Sequence, residues 1–182
     1  MHASIAIMTS LVLASSALSV QAAPPLQAID VLDVPRYTGQ WYEVAKYPNR
    51  FQKQCVSDTV AEYRALAQGQ LQVINRCRTD SGQMQQAEAL AKQVGERTSA
   101  KLKVRFAPAW LSFLPMVWGD YWVIDIDEAY QLAAVSEPER EYLWILSRTP
   151  TVEPARYAAL LARLQAMGLD TSRLQVSTHT PR

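Results

Sequence analysis

Apolar and polar residues alternate along most of this chain with a period of two. Runs rich in Val, Ile, Tyr and Trp cover Trp41–Tyr47, Val56–Arg64, Gln70–Arg78, Met84–Val94, Ala100–Phe106, Asp120–Asp125, Gln131–Ser136 and Tyr142–Arg148. Turn residues separate them: Gly69, then Asp80-Ser81-Gly82, then Gly95-Glu96-Arg97. Such alternation puts one face of each run on a core and the other toward solvent, so each run predicts a strand. Only one later segment changes period. Tyr157, Leu160, Leu161 and Leu164 fall on one helical face, with Arg156 and Arg163 away from it. Pro154 stands near the first turn of that helix and Gly168 at its stop. A short last strand, Arg173–Ser177, follows. Successive strands with one trailing helix predict an all-β fold: an eight-stranded antiparallel up-and-down β-barrel, closed on itself, with the C-terminal α-helix packed outside.

The first residues break the pattern. Ile5 to Val20 is apolar and rich in small residues, and Val20-Gln21-Ala22 has the small-x-small form of a cleavage site. Residues 1–22 therefore read as a secretory signal peptide, and residues 23–182 as one exported domain. The run is short for a membrane span. No Cys follows it, so the expectation is a periplasmic or outer-membrane-associated protein without an N-terminal lipid anchor.

Composition narrows the chemistry. A chain of 182 residues suits a single domain. Lys and Arg number 18 against 17 Asp and Glu, with no basic block, which argues against a nucleic-acid partner. His179 is the only histidine beyond the signal segment. With so few nitrogen ligands a zinc site is hard to assemble, and no metal site is expected. A Ser-His-Asp triad would depend on that one terminal His. No phosphate loop, GxSxG or HExxH is present, and no motif implies a cofactor. Two cysteines remain, Cys55 and Cys77. Export makes a disulfide the expected state, against the alternative of two buried thiols.

Three short blocks then point to a family. "GQWYEVAKY", Gly39 to Tyr47, resembles the first conserved block of the lipocalins, Gly-x-Trp, at the start of the first strand. "DEAY", Asp127 to Tyr130, resembles the second, and "YLWILSRTP", Tyr142 to Pro150, the third. The subgroup with the nearest look comprises bacterial, plant temperature-induced and apolipoprotein D-like lipocalins; several bacterial members are lipoproteins, and this chain lacks the acylated Cys. The resemblance implies that Arg148 lies across the Trp41 indole at the closed end, with Gly39 allowing the close approach. Gly39, Trp41 and Arg148 would form a structural floor rather than touch ligand.

Alternation then assigns a lining. If Trp41 points inward, so do Glu43, Ala45 and Tyr47, whereas Val44 and Lys46 point out. Tyr63, Leu71, Val73, Asn75, Tyr142 and Trp144 follow on their strands. Tyr121 and Val123 are assigned inward too, although Trp122 and Ile124 on the opposite face are equally apolar. An aromatic and aliphatic lining with a few polar tips suits a fatty acid, lysophospholipid or similar amphiphile. Buried on that inner face, Glu43 needs a partner or water; a lone carboxylate does not make a hydrolase. The expected activity is non-catalytic binding and transport or storage. The alternative is a thiol-dependent isomerase on the same scaffold, which a Cys55–Cys77 bond would disarm: both residues sit on one face of adjacent strands if no bulge changes parity. The "APAWLSFLPMVWGD" loop, Ala107 to Asp120, holds Trp110, Leu111, Phe113, Leu114, Met116, Val117 and Trp118 without charge before Asp120. It is expected either to cover the cup as a lid or to make a peripheral contact with a bilayer. The sequence is compatible with a monomer or a homodimer.

Overall fold

Hairpin-linked strands build the wall of the molecule in a computed structural model that describes residues 23–107 and 114–180. They are β1 (Gly39–Lys46), β2 (Cys55–Ala65), β3 (Gln70–Thr79), β4 (Met84–Gln93), β5 (Lys101–Arg105), β6 (Gly119–Ile126), β7 (Leu132–Ser136) and β8 (Leu143–Ser147). Each pairs antiparallel with the next, and β1 pairs with both β8 and β2, so the barrel closes. A short β9 (Gln175–Val176) adds to β1 where β2 has left it: β1 pairs with β2 through Gly39–Tyr42 and with β9 at Ala45 and Lys46. The predicted strands are all present, with ends shifted by a residue or two.

Of the short elements that were not foreseen, two bear on the cavity. Before β1 runs a single-turn helix, α1 (Val34–Tyr37), capped by Asp33, whose carboxylate accepts from the Arg36 amide at 3.1 Å. A 3-10 turn, Pro115–Val117, precedes β6. The late helix, α2 (Pro154–Ala166), starts on Glu153, which accepts from the Ala155 and Arg156 amides at 2.9 Å each. It stops at Gly168, whose φ of +81° favours glycine.

Two apolar clusters result, one on each side of the wall. Inside lie Tyr37, Trp41, Tyr63, Leu71, Val73, Leu102, Val123, Tyr130 and Leu146. Outside, Leu160 and Leu164 of α2, both fully buried, press on Val44, Ile124, Leu132, Leu143 and Ile145. Burying each leucine contributes about 1.5–3 kcal/mol, which fixes α2 to the barrel. Arg163, beside the apolar stripe, donates twice to the buried Asp125 at 2.7 and 2.8 Å. Arg156 pairs with Asp127.

The two clusters also settle which face of β6 points inward: Tyr121 and Val123 do, and Trp122 and Ile124 lie under α2. They correct one expectation. Tyr47 does not share the inner face of Trp41. The β1–β8 register runs Glu43 to Leu146 and then Ala45 to Ile145, leaving Val44 as an extra residue in a bulge. Beyond it the faces exchange, as an unpaired residue requires. Ala45 and Tyr47 therefore join the outer cluster, and Lys46 turns its ammonium to Glu43 at 2.9 Å.

Candidate ligand-binding cavity

The closed end follows from the start of β1. Gly39 has φ +92°, and a Cβ there would stand 3.3 Å from Nη1 of Arg148. The guanidinium carbon of Arg148 sits 3.9 Å from the centre of the Trp41 ring. Its nitrogens donate to the carbonyls of Gln40 (2.8 Å), Arg36 (2.7 Å), Thr38 (2.9 Å) and Tyr130 (3.3 Å). The Trp41 indole donates to the Tyr37 carbonyl at 2.8 Å. One side chain just past the last barrel strand thereby ties α1, β1 and the β6–β7 turn together. That turn carries Asp127, which accepts from the Gln131 and Leu132 amides at 2.6 and 3.1 Å, and Tyr130, whose hydroxyl accepts from the Asp33 amide at 2.9 Å.

Above this floor is a cavity of about 940 Å³. Tyr63, Val73, Asn75, Tyr121, Tyr142 and Trp144, all assigned inward from alternation, line it. Leu71 and Val123 also face inward but are packed into the floor cluster, and Tyr47 is outside the barrel. Alternation missed Ala91, Leu102 and Val104 on the facing wall, and Phe51, Phe106 and Met116 at the mouth. The signal for the wall residues was available, since their strands alternate as well. Nothing in the sequence told how the β1–β2 connection folds back to bring Phe51 to the rim.

The lower cavity ends in phenols. Tyr121 hydrogen-bonds to Tyr37 at 2.7 Å and to Tyr63 at 2.6 Å. Burial pushes all three well above the ordinary tyrosine value, Tyr63 to about 12, so they stay neutral. Tyr37 reaches this cluster from α1, an element too short for periodicity to reveal.

One wall holds a buried carboxylate. Glu43, 2% exposed, accepts from Lys46, from Ser177 Oγ at 2.7 Å and from Gln52 Nε2 at 2.6 Å. Gln52 in turn accepts from the Trp144 indole at 2.9 Å, and Trp144 stacks on Tyr142 with ring centres 5.8 Å apart. Every partner of Glu43 is a donor, so its charge is compensated and the Trp144 wall is held in one orientation. Nearer the mouth, Cys55 and Cys77 are joined in a disulfide with Cα atoms 5.5 Å apart. Two one-residue register shifts lie between Cys55 and Val60, both adding a residue on β2; together they restore parity, and Cys55 and Cys77 keep to one face.

The mouth mixes charge with exposed carbon. Arg50, Arg76, Asp120, Glu139 and Glu141 surround it. Phe51, Phe106 and Met116 there are 53, 52 and 87% exposed. Of the expected membrane-facing residues, Leu114 is half-buried, and Trp118 is half-buried with the Lys92 ammonium 4.2 Å from its ring centre. Trp110, Leu111 and Phe113 lie outside the described residues, as does the expected signal segment. No group of metal-binding side chains occurs among the described residues.

Comparison with known proteins agrees with this geometry. A family model described as a lipocalin-like domain matches residues 32–179. Temperature-induced lipocalin-1 of Arabidopsis thaliana is 40% identical over 151 residues, spanning 82% of this chain and 80% of that protein. The outer membrane lipoprotein Blc of Escherichia coli K12 is 38% identical over 153 residues, 82% of each chain. Among solved structures, insecticyanin from Manduca sexta superposes with a TM-score of 0.67 at 18% identity, covering 87% of each chain, which bears on the fold alone.

Proposed function

This chain belongs to the lipocalin family, and from that premise we propose that it is a non-catalytic carrier of single-chain amphiphiles, fatty acids or lysophospholipids, in the bacterial envelope. The observation that carries this reading is the cavity itself: about 940 Å³, lined by apolar and aromatic side chains, with phenols at the floor, charged groups at the mouth and Glu43 compensated on one wall. That volume lies toward the upper end of the roughly 300–1,000 Å³ usual for small-molecule sites. Each methylene moved from water into such a wall contributes about 0.8 kcal/mol, so an acyl chain needs no ion pair to bind well. Placing the tail inside leaves the head at a rim that carries both signs of charge, which suits a zwitterionic head better than a bare carboxylate.

Catalysis has little to work with in this cavity. Both cysteines of the chain are used in the disulfide, which removes the thiolate that a thiol-dependent isomerase needs. Glu43 is committed to Lys46, Ser177 and Gln52, with no second acid or base beside it. Envelope location draws on the apolar N-terminal run and on the printed name of the E. coli relative. The exposed Phe51, Phe106 and Met116 around the mouth, the last two within the uncharged Phe106–Trp118 segment, support loading by contact with a bilayer. Mass spectrometry of organic extracts from protein purified without detergent tests the reading. Co-purifying acyl lipid is the expected result. Empty extracts together with no binding of fluorescent fatty acids would mean that the cup is not a lipid site.

A further inference from the structure

The seam between β1 and β2 is paired only in its lower half, from Gly39 and Tyr63 to Tyr42 and Val60. Toward the mouth the two strands part, and residues 175–180 lie in the gap between them. On the β1 side, β9 pairs at Ala45 and Lys46, and the Ser177 amide donates to the Val44 carbonyl at 3.0 Å. His179 Nε2 donates to the Glu43 carbonyl at 2.8 Å. On the β2 side, the Asp58 amide donates to the Thr178 carbonyl at 2.9 Å. The Asp58 carboxylate accepts from the Thr180 amide at 2.7 Å and from its hydroxyl at 3.0 Å. Arg78 and that amide hold the Asp58 carboxyl well below the usual carboxylate range, so the anchor stays charged.

This segment is tied in place without being packed in place. No side chain from 175 to 180 is buried, and Val176 is 76% exposed, so hydrogen bonds rather than apolar burial hold it. Segments held in that way open locally at a lower free energy than packed strands do. Inward, however, it reaches the cavity wall. Ser177 Oγ donates to Glu43 at 2.7 Å, Glu43 accepts from Gln52, and Gln52 accepts from the Trp144 indole. Glu43 on one edge of the gap, Cys55, Thr59 and Val60 on the other, and Gln52 above it all line the cavity. We propose that residues 175–180 are a strap on the side of the cup, whose local release extends the mouth down the β1–β2 seam and lets an acyl chain enter sideways instead of end-on. Release leaves Glu43 with Lys46 and Gln52, so the carboxylate keeps its counter-charge while the slot is open. The barrel itself stays closed below the slot, where β1 keeps β8 and its lower pairing with β2. Sideways entry suits loading from a bilayer, because the chain passes from lipid to cavity without its whole length crossing water. The inference rests on the carrier reading above and adds the route by which ligand enters and leaves.

The test compares the full chain with its Ser177→Ala/Asp58→Gly variant, which removes one side-chain anchor on each edge of the strap. Glycine accepts the φ of +55° at position 58, so the bend of β2 is kept. Association and dissociation of cis-parinaric acid are followed by stopped-flow fluorescence. Both rate constants are expected to rise about tenfold, the scale of one to two hydrogen bonds, with Kd changed by less than about twofold. Unchanged rates overturn the strap and leave the carrier reading intact. So does faster dissociation without faster association, which makes the segment part of the pocket wall rather than of the route. Failure of the wild type to bind the probe overturns both readings. Should the double variant not fold, wild type in rising urea below its unfolding transition decides. Probe dissociation that accelerates in step with amide exchange at Ser177 and Asp58 supports the strap; dissociation that does not follow those two amides overturns it.

Discussion

Replacing Trp41 by alanine tests the closed end most directly. The indole is fully buried, holds the Arg148 guanidinium at 3.9 Å, packs on Tyr37 with ring centres 5.2 Å apart, and donates to the Tyr37 carbonyl. Truncating a core Trp costs about 3–5 kcal/mol, and nothing at this floor can collapse into the space, because Arg148 is already tied to four carbonyls. For a domain of this size that corresponds to a fall in melting temperature of roughly 6–20 °C. Arg148→Ala is expected to cost less, about 2 kcal/mol, since the carbonyls it leaves near the surface can take water. Combining the two isolates their coupling. The double variant should fall short of the sum of the singles by about 1–2 kcal/mol, the share due to the cation over the ring. The assay is calorimetry or denaturant unfolding of all four proteins. A Trp41→Ala protein melting within a degree or two of wild type, or a pair that adds without coupling, would refute the assignment of this pair as the seal.

Stability should fall as pH rises from about 10 to about 12, because an unfolded Tyr63 ionises near 10.0 and the folded one only near 12. Over that window the folded state binds more protons than the unfolded state. Denaturant midpoints through the window should decline less steeply in Tyr63→Phe/Tyr121→Phe; parallel curves would assign the alkaline loss to other groups. Reducing Cys55–Cys77 should cost around 3 kcal/mol by loop entropy, and Ellman titration of denatured, unreduced protein should find no thiol. A reactive thiol there would reopen the isomerase alternative. Trp110→Ser with Phe113→Ser should weaken binding to phosphatidylcholine vesicles, in high and low salt alike, without changing the melting temperature. Earlier melting with normal vesicle binding would identify the segment as a packed lid.

How much of this was legible in the sequence depends on what each signal can see. Period-two alternation located all eight barrel strands, and the Tyr157–Leu164 stripe located α2, because each carries a buried face along part or all of its length; the first half of β4, exposed on both faces, is the weakest case. The Gly39–Trp41–Arg148 floor was reached through the resemblance alone; alternation says that Trp41 is inside and cannot say what lies across it. Tyr37 escaped because a one-turn helix has no period to detect. Its only local marker is Asp33 two residues before Pro35, a cap with a proline in the first turn.

The error at Tyr47 shows where alternation stops carrying information. Parity names a face only up to the next bulge, and a bulge at Val44 leaves no mark in the sequence, since a β-branched residue there looks like any other strand position. What the bulge does is visible only in three dimensions. It sends Ala45 and Tyr47 outward under α2 and Lys46 toward Glu43, supplying the cation that lets a carboxylate stay on the cavity wall. Without the bulge, Glu43 would keep its inward position and lose Lys46, and the Gln52 and Trp144 contacts would rest on an uncompensated buried charge. The residue that spoiled the parity argument is therefore the one that makes the polar wall of the cavity tenable.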